Sequence, residues 1–91
     1  MTFMITFSLP VETIEERTSR FLETGAPPPD GVKMEGRWHS VSAARGWVVA
    51  STQDAKALFR WITSWADVIE FEVEPVLSDQ EAAEVLKEAA H

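Results

Sequence analysis

No cysteine occurs among the 91 residues, so a disulfide framework, a thiolate nucleophile and a cysteine-based zinc site are all excluded. Tyrosine is absent too, and glycine is scarce. Its four scattered positions build no glycine-rich loop of the kind that cradles phosphate. No run approaches the ~20 apolar residues that span a bilayer. The opening "MTFMITFSLP" lacks both the basic start and the continuous apolar stretch of a secretory signal, so a cytoplasmic location is expected. Basic residues are outnumbered: eight Lys and Arg stand against fifteen Asp and Glu, a net charge of −7. A field of that sign repels phosphate backbones and anionic lipid, so neither nucleic acid nor membrane is an expected partner. Histidine occurs only at positions 39 and 91. His39 with Glu70 and Glu72 would be a chemically adequate donor set, but without HxH or HxxxH spacing no metal is expected, and no cofactor.

What is present is ordinary globular material, 45% apolar and 25% charged. The length suits a single domain over 1–91, one that buries only ~60–65% of its unfolded surface and gains from oligomerising. Four Trp and five Phe are a heavy aromatic load for core and interface.

Periodicity divides the chain. In "TFMITFSL" residues Phe3, Ile5, Phe7 and Leu9 alternate with polar neighbours, which predicts a strand over 2–9. Pro10 ends it and suits a helix start. From Val11 to Thr24 the apolar positions Val11, Ile14, Phe21 and Leu22 fall on one helical stripe, and Gly25 is a natural stop. "APPPDG" then reads as a rigid loop. Alternation returns over 32–41, with Val32, Met34, Gly36 and Trp38 on one face and Lys33, Glu35, Arg37 and His39 on the other. A short connection leads to a third strand over 46–51, so the two form a hairpin. "STQD" offers a capping box from Ser51 to Asp54 before a helix over 53–65. Its stripe is Ala55, Leu58, Phe59, Ile62, Trp65 and Ala66, with Trp61 at the flank and partly covered. A fourth strand over 68–76 sets Ile69, Phe71 and Val73 against Glu70, Glu72 and Glu74. "SDQE" repeats the capping spacing, Ser78 to Glu81, ahead of an Ala-rich helix whose weak stripe needs something to dock on.

This β-α-β-β-α-β order with an added helix is the split-βαβ, ferredoxin-like arrangement: an α+β fold with two helices on one face of a four-stranded antiparallel sheet. From Phe3 to about Leu86 the chain also resembles a family of short bacterial proteins catalogued only as a domain of unknown function. "RFLETGAPPPDGVKMEGRWH", the spacing of Trp61, Trp65 and Asp67, and "FEVEPVLSDQEA" carry the likeness. The resemblance implies a ferredoxin-like fold of the dimeric α/β-barrel kind, in which two open sheet faces meet. It implies no activity and supplies no catalytic residues.

The stretch "GRWHS" concentrates the chemistry. Gly36 is either a bulge or a space left for a neighbouring ring or backbone. Trp38 is expected under a helix, in the core. Arg37 and His39, two apart, share a face, one a bidentate anion clamp and the other an imidazole that titrates near neutral pH. With Thr6, Trp47 and Glu72 they form the candidate ligand-binding set on the open sheet face; the plainer reading is an ion-pair cluster with Glu70 or Glu72. Ser8, His39 and Asp67 supply the residue types of a catalytic triad, but nothing resembles a nucleophile elbow. Three functions fit these patterns. A homodimeric small-molecule-binding module stands first. A cofactor-independent enzyme, monooxygenase- or isomerase-like, acting on an aromatic or polyketide-like compound, is the second, on fold analogy alone. A purely structural dimer is the third.

Overall fold

The computed structural model describes residues 1–90. Strand β1 runs Thr2–Ser8, followed by a 3-10 turn, Val11–Thr13, and helix α1, Ile14–Thr24. Strands β2, Val32–His39, and β3, Arg45–Thr52, form the hairpin. Helix α2 spans Ala55–Trp65, strand β4 Glu70–Val76, and helix α3 Asp79–Ala89. The sheet order is β2-β3-β1-β4 with every neighbouring pair antiparallel, which is the ferredoxin-like arrangement.

The core sits between the sheet and the helix layer. Ile5, Phe7, Val48 and Ala50 of the two central strands pack with Ala57, Leu58 and Trp61 of α2. β1 and β4 keep the expected alternation, and β3 buries Val48 and Ala50 on the helix side with Trp47 on the other. Phe7 lies opposite Phe71, and Ile5 opposite both Val48 and Val73, on the helix side. Thr6, opposite Trp47 and Glu72, belongs to the other face.

Helix termini follow local chemistry. Gly25 closes α1 at φ 75°, a left-handed value that glycine adopts without strain, and its N–H donates to Phe21 O at 2.7 Å. Ser78 and Glu81 form the anticipated capping box on α3. The start of α2 differs from expectation. Ser51 is a β3 residue, and Asp54 itself is the cap, its side chain accepting from the N–H groups of Lys56 and Ala57. A carboxylate one residue before the helix satisfies both free donors directly, so no box is needed.

Three further expectations are overturned. Trp61 is buried, at 9% exposure, whereas Phe59 is 69% exposed. The sheet-facing line of α2 therefore runs through Leu58, Trp61, Ile62 and Trp65. A helix rotates ~100° per residue, so this shift from Phe59 turns the covered arc by part of a turn. On α1 the ends of the apolar stripe, Val11, Ile14 and Leu22, stay exposed, and the buried member is Arg17. Trp38 is 57% exposed and is not in the core.

A bulge explains Trp38. Met34 pairs with Ala50, but the next paired residue is Gly36, opposite Val49, and Glu35 is the extra residue between them. Because side chains alternate with a period of two, one inserted residue exchanges the faces of everything beyond it. Val32 and Met34 stay on the helix side. Past the bulge Arg37 and His39 turn toward the helices, opposite Val48 and Gly46, and Trp38 turns to the open face beside Trp47.

Candidate functional site in the helix–sheet cavity

The bulge gives Arg37 and His39 a different setting from the one anticipated. Between the helix layer and the sheet lies a cavity of about 370 Å³. Phe7, Phe21, Trp61, Trp65 and Phe71 supply its rings, and Ile5, Val48, Ile62 and Ile69 its aliphatic walls. Arg17, Arg37 and His39 line it as well. Of the five candidate residues, two therefore meet here. Thr6, Trp47 and Glu72 lie on the opposite side of the sheet, and no single site holds all five.

Arg37 stands where α1 ends. Its Nη1 donates to Ala26 O at 2.8 Å and its Nη2 to Gly25 O at 2.9 Å. Both carbonyls belong to the left-handed turn that follows Thr24, so the guanidinium ties β2 to the segment that ends α1. The guanidinium also lies 5.1 Å from the centre of the Phe21 ring, within cation–π range. Burial pulls the Arg37 guanidinium below its ordinary value, because desolvation disfavours the charged form. Ala26 is buried and takes a positive φ of 43°, so the start of the proline-rich loop is bent inward to form part of the cavity wall.

His39 is held between two rings. Its centroid lies 5.8 Å from Phe7 and 5.6 Å from Phe21, both edge-on, with interplanar angles of 71° and 80°. Gly46, its partner on β3, makes this possible. A Cβ there would meet the Phe7 ring at 2.1 Å. The absence of a side chain lets Phe7 cross β3 and reach the imidazole.

Arg17 enters from α1 and is 7% exposed. Its Nη1 donates to Pro10 O and, at 2.9 Å, to Thr13 Oγ1. Thr13 Oγ1 in turn lies 2.7 Å from Val68 O, as donor, which ties the start of α1 to the segment before β4. Sequence reasoning missed Arg17. The available signal was its spacing: it stands three residues after Ile14 and four before Phe21, on the stripe that a core-facing helix reserves for apolar side chains. Trp61 and Trp65, one turn apart on α2, were visible as aromatics but not as cavity walls.

Outside the cavity a second cluster joins the two helices. Arg20 reaches Asp67 through both guanidinium nitrogens, at 3.1 and 2.9 Å, and Glu16 at 2.9 Å, while stacking 5.1 Å from the Trp65 ring. The hydrogen bonds from Arg20 hold the Asp67 carboxyl below the usual carboxylate value and raise the guanidinium further. Ser8, His39 and Asp67 form no triad: His39 contacts aromatic rings and Asp67 is committed to Arg20. Among the described residues no three His, Asp or Glu side chains converge as metal ligands, and no helix is long and apolar enough to cross a membrane.

The sequence profile of a family described as Domain of unknown function (DUF3303) matches residues 1–90. The chain belongs to this family. No curated protein matches the DUF3303 chain. A solved structure from Deinococcus radiodurans, described there as a proposed antibiotic biosynthesis monooxygenase, is similar at 9% identity and a TM-score of 0.47, covering 86% of this chain and 94% of that one.

Proposed function

We propose that this protein binds a small molecule in the cavity between helices and sheet, and that it does so as a homodimer joined through the bare sheet face. The cavity carries the reading. Its volume of about 370 Å³ lies within the range of small-molecule sites, and its walls are mostly rings and aliphatic chains with a few convergent polar groups. Arg37 and His39 are the contacts expected to orient the ligand, with Arg17 on the cavity wall at the other end of α1. The cavity replaces the open face as the place of the ligand, because the bulge at Glu35 sends both residues there.

The bare face has a different use. Met4 and Trp38 are exposed and Trp47 half-buried together on one side of the sheet, where no described element covers them. A contiguous apolar patch of this kind favours a partner surface, and a second copy offers a matching one.

The test is a thermal-shift screen of small aromatic compounds, followed by Trp emission of the hits. A ligand that binds only the folded state raises the melting temperature, and one in this cavity alters emission from Trp61 and Trp65. Thr18 lines the cavity from an exposed position on α1, so Thr18→Phe should fill the space and abolish each hit without unfolding the chain. Hits that bind the filled variant equally well would place the ligand elsewhere and defeat the proposal.

A further inference from the structure

The charge of the cavity wall is opposite to that of the molecule. Arg17, Arg37 and His39 line the space, and among the described residues no Asp or Glu does, although the chain carries fifteen acidic residues. Nor are the two guanidinium groups neutralised from outside it. Among the described residues the ion pairs are those of Arg20 with Glu16 and Asp67 and of Lys33 with Glu35; Arg17 and Arg37 form none. Their hydrogen bonds go to neutral acceptors instead: the carbonyls of Pro10, Gly25 and Ala26, and the hydroxyl of Thr13.

A buried cation without a counter-charge is expensive, because desolvation removes hydration that dipoles only partly replace. Arg17 is 7% exposed, so this condition applies to it directly. The second cation, Arg37, is itself pulled down by burial. Both stand at the wall of an otherwise apolar space large enough for a fused aromatic body.

We infer that the ligand is a hydrophobic anion: a planar aromatic or similarly apolar body bearing one carboxylate, sulfonate or enolate, which pairs with Arg37 at the end of the cavity where Phe21 and His39 stand. The acid group completes the charge balance that the protein leaves open, and a guanidinium fork matches a planar oxyanion bidentately. The net charge of −7 repels anions at long range, so affinity for them has to come from Arg37 at close range.

This inference rests on the proposed binding role, and a matched pair of dyes separates the two. 8-Anilinonaphthalene-1-sulfonate and its neutral counterpart N-phenyl-1-naphthylamine share an aromatic body and differ by the sulfonate. Both brighten in apolar sites, so each can be titrated against the full chain by fluorescence. The sulfonate should bind about tenfold more tightly or better, a preference worth ~1.4 kcal/mol. Arg37→Gln should erase that preference while leaving the neutral dye's affinity within about twofold, and Arg17→Gln, at the other end of α1, should leave most of the preference in place. Near-UV circular dichroism identifies a variant that has lost its packing, and Arg37→Gln stands alone if Arg17→Gln does. Equal affinity for the two dyes, or a preference that survives in folded Arg37→Gln, would overturn the anion assignment and leave the cavity reading intact. If neither dye binds, or both still bind Thr18→Phe unchanged, the cavity reading fails and this inference with it.

Discussion

The Trp38 ring lies across Gly36 on the open face of the sheet, so closely that a Cβ at position 36 would come within 2.4 Å of it. Gly46 has the same relation to Phe7 on the helix side, where the distance would be 2.1 Å, and the same Cβ would lie 2.7 Å from Trp38 O. The two glycines differ in what can yield. Trp38 is exposed and can swing outward, whereas Phe7 is buried and the carbonyl is backbone. Gly36→Ala is expected to cost about 1 kcal/mol and Gly46→Ala about 3 kcal/mol or more, since overpacking a rigid site forces the backbone to move. Urea unfolding of both variants measures the gap; similar midpoints would contradict it.

Two tryptophans on opposite faces should behave oppositely. Trp61→Ala empties a core position and is expected to lose ~3–5 kcal/mol. Trp38→Ala removes a ring that is already 57% exposed, so the folded monomer should lose about 1 kcal/mol or less.

For the dimer, the sharper change is Trp38→Glu, which places a charge in the apolar patch beside Trp47. Sedimentation at tens of micromolar should report a dimer for the parent chain and a monomer, still folded, for the variant. A parent chain that sediments as a monomer would rule out the open face as a self-association surface.

The Arg20–Asp67 pair predicts a pH dependence. The Asp67 carboxyl is held below its ordinary value by Arg20, so in acid the unfolded chain takes up this proton before the folded chain does. Its contribution is therefore complete above about pH 4 and declines as pH falls through the folded-state value. Asp67→Asn should lower the urea midpoint at pH 7 and narrow its difference from the parent at pH 3. Added salt should shrink the pH 7 difference too, because the pair is exposed. A difference that is constant with pH would show that the carboxylate charge plays no part.

Helix α3 has its own signature. Its capping box is complete, Ser78 Oγ accepting from Glu81 N–H at 3.1 Å and Ser78 N–H donating to Glu81 Oε1 at 3.0 Å. The helix exposes Val85 and Leu86, so little packing supports it. Ser78→Ala removes the hydroxyl and costs about 1 kcal/mol of helix stability. That loss should appear as faster amide exchange confined to α3, with the global melting temperature nearly unchanged. A drop in melting temperature of several degrees would mean that α3 is coupled to the core.

Sequence periodicity by itself determined the element order, and through it the ferredoxin-like topology. It also determined the faces of β1 and β4, because strict alternation in an unbroken strand allows only one set of residues to be buried. Gly25 and the Ser78–Glu81 box were legible for the same reason: caps are local chemistry. Arg37 and His39 could be singled out from residue type, but not their surroundings. Those depended on Glu35, where the pairing of β2 with β3 gains a residue. Gly36 marked a bulge as one of two readings, but a bulge is a property of two strands fitted together, and nothing in "VKMEGRWH" read alone requires it or says which faces it exchanges. The tertiary structure likewise decided that Trp61 rather than Phe59 is buried, and that Arg17 reaches an interior wall. Each is a matter of which arc of a helix meets the sheet, set by packing between elements distant in sequence and only loosely by the helix's own pattern.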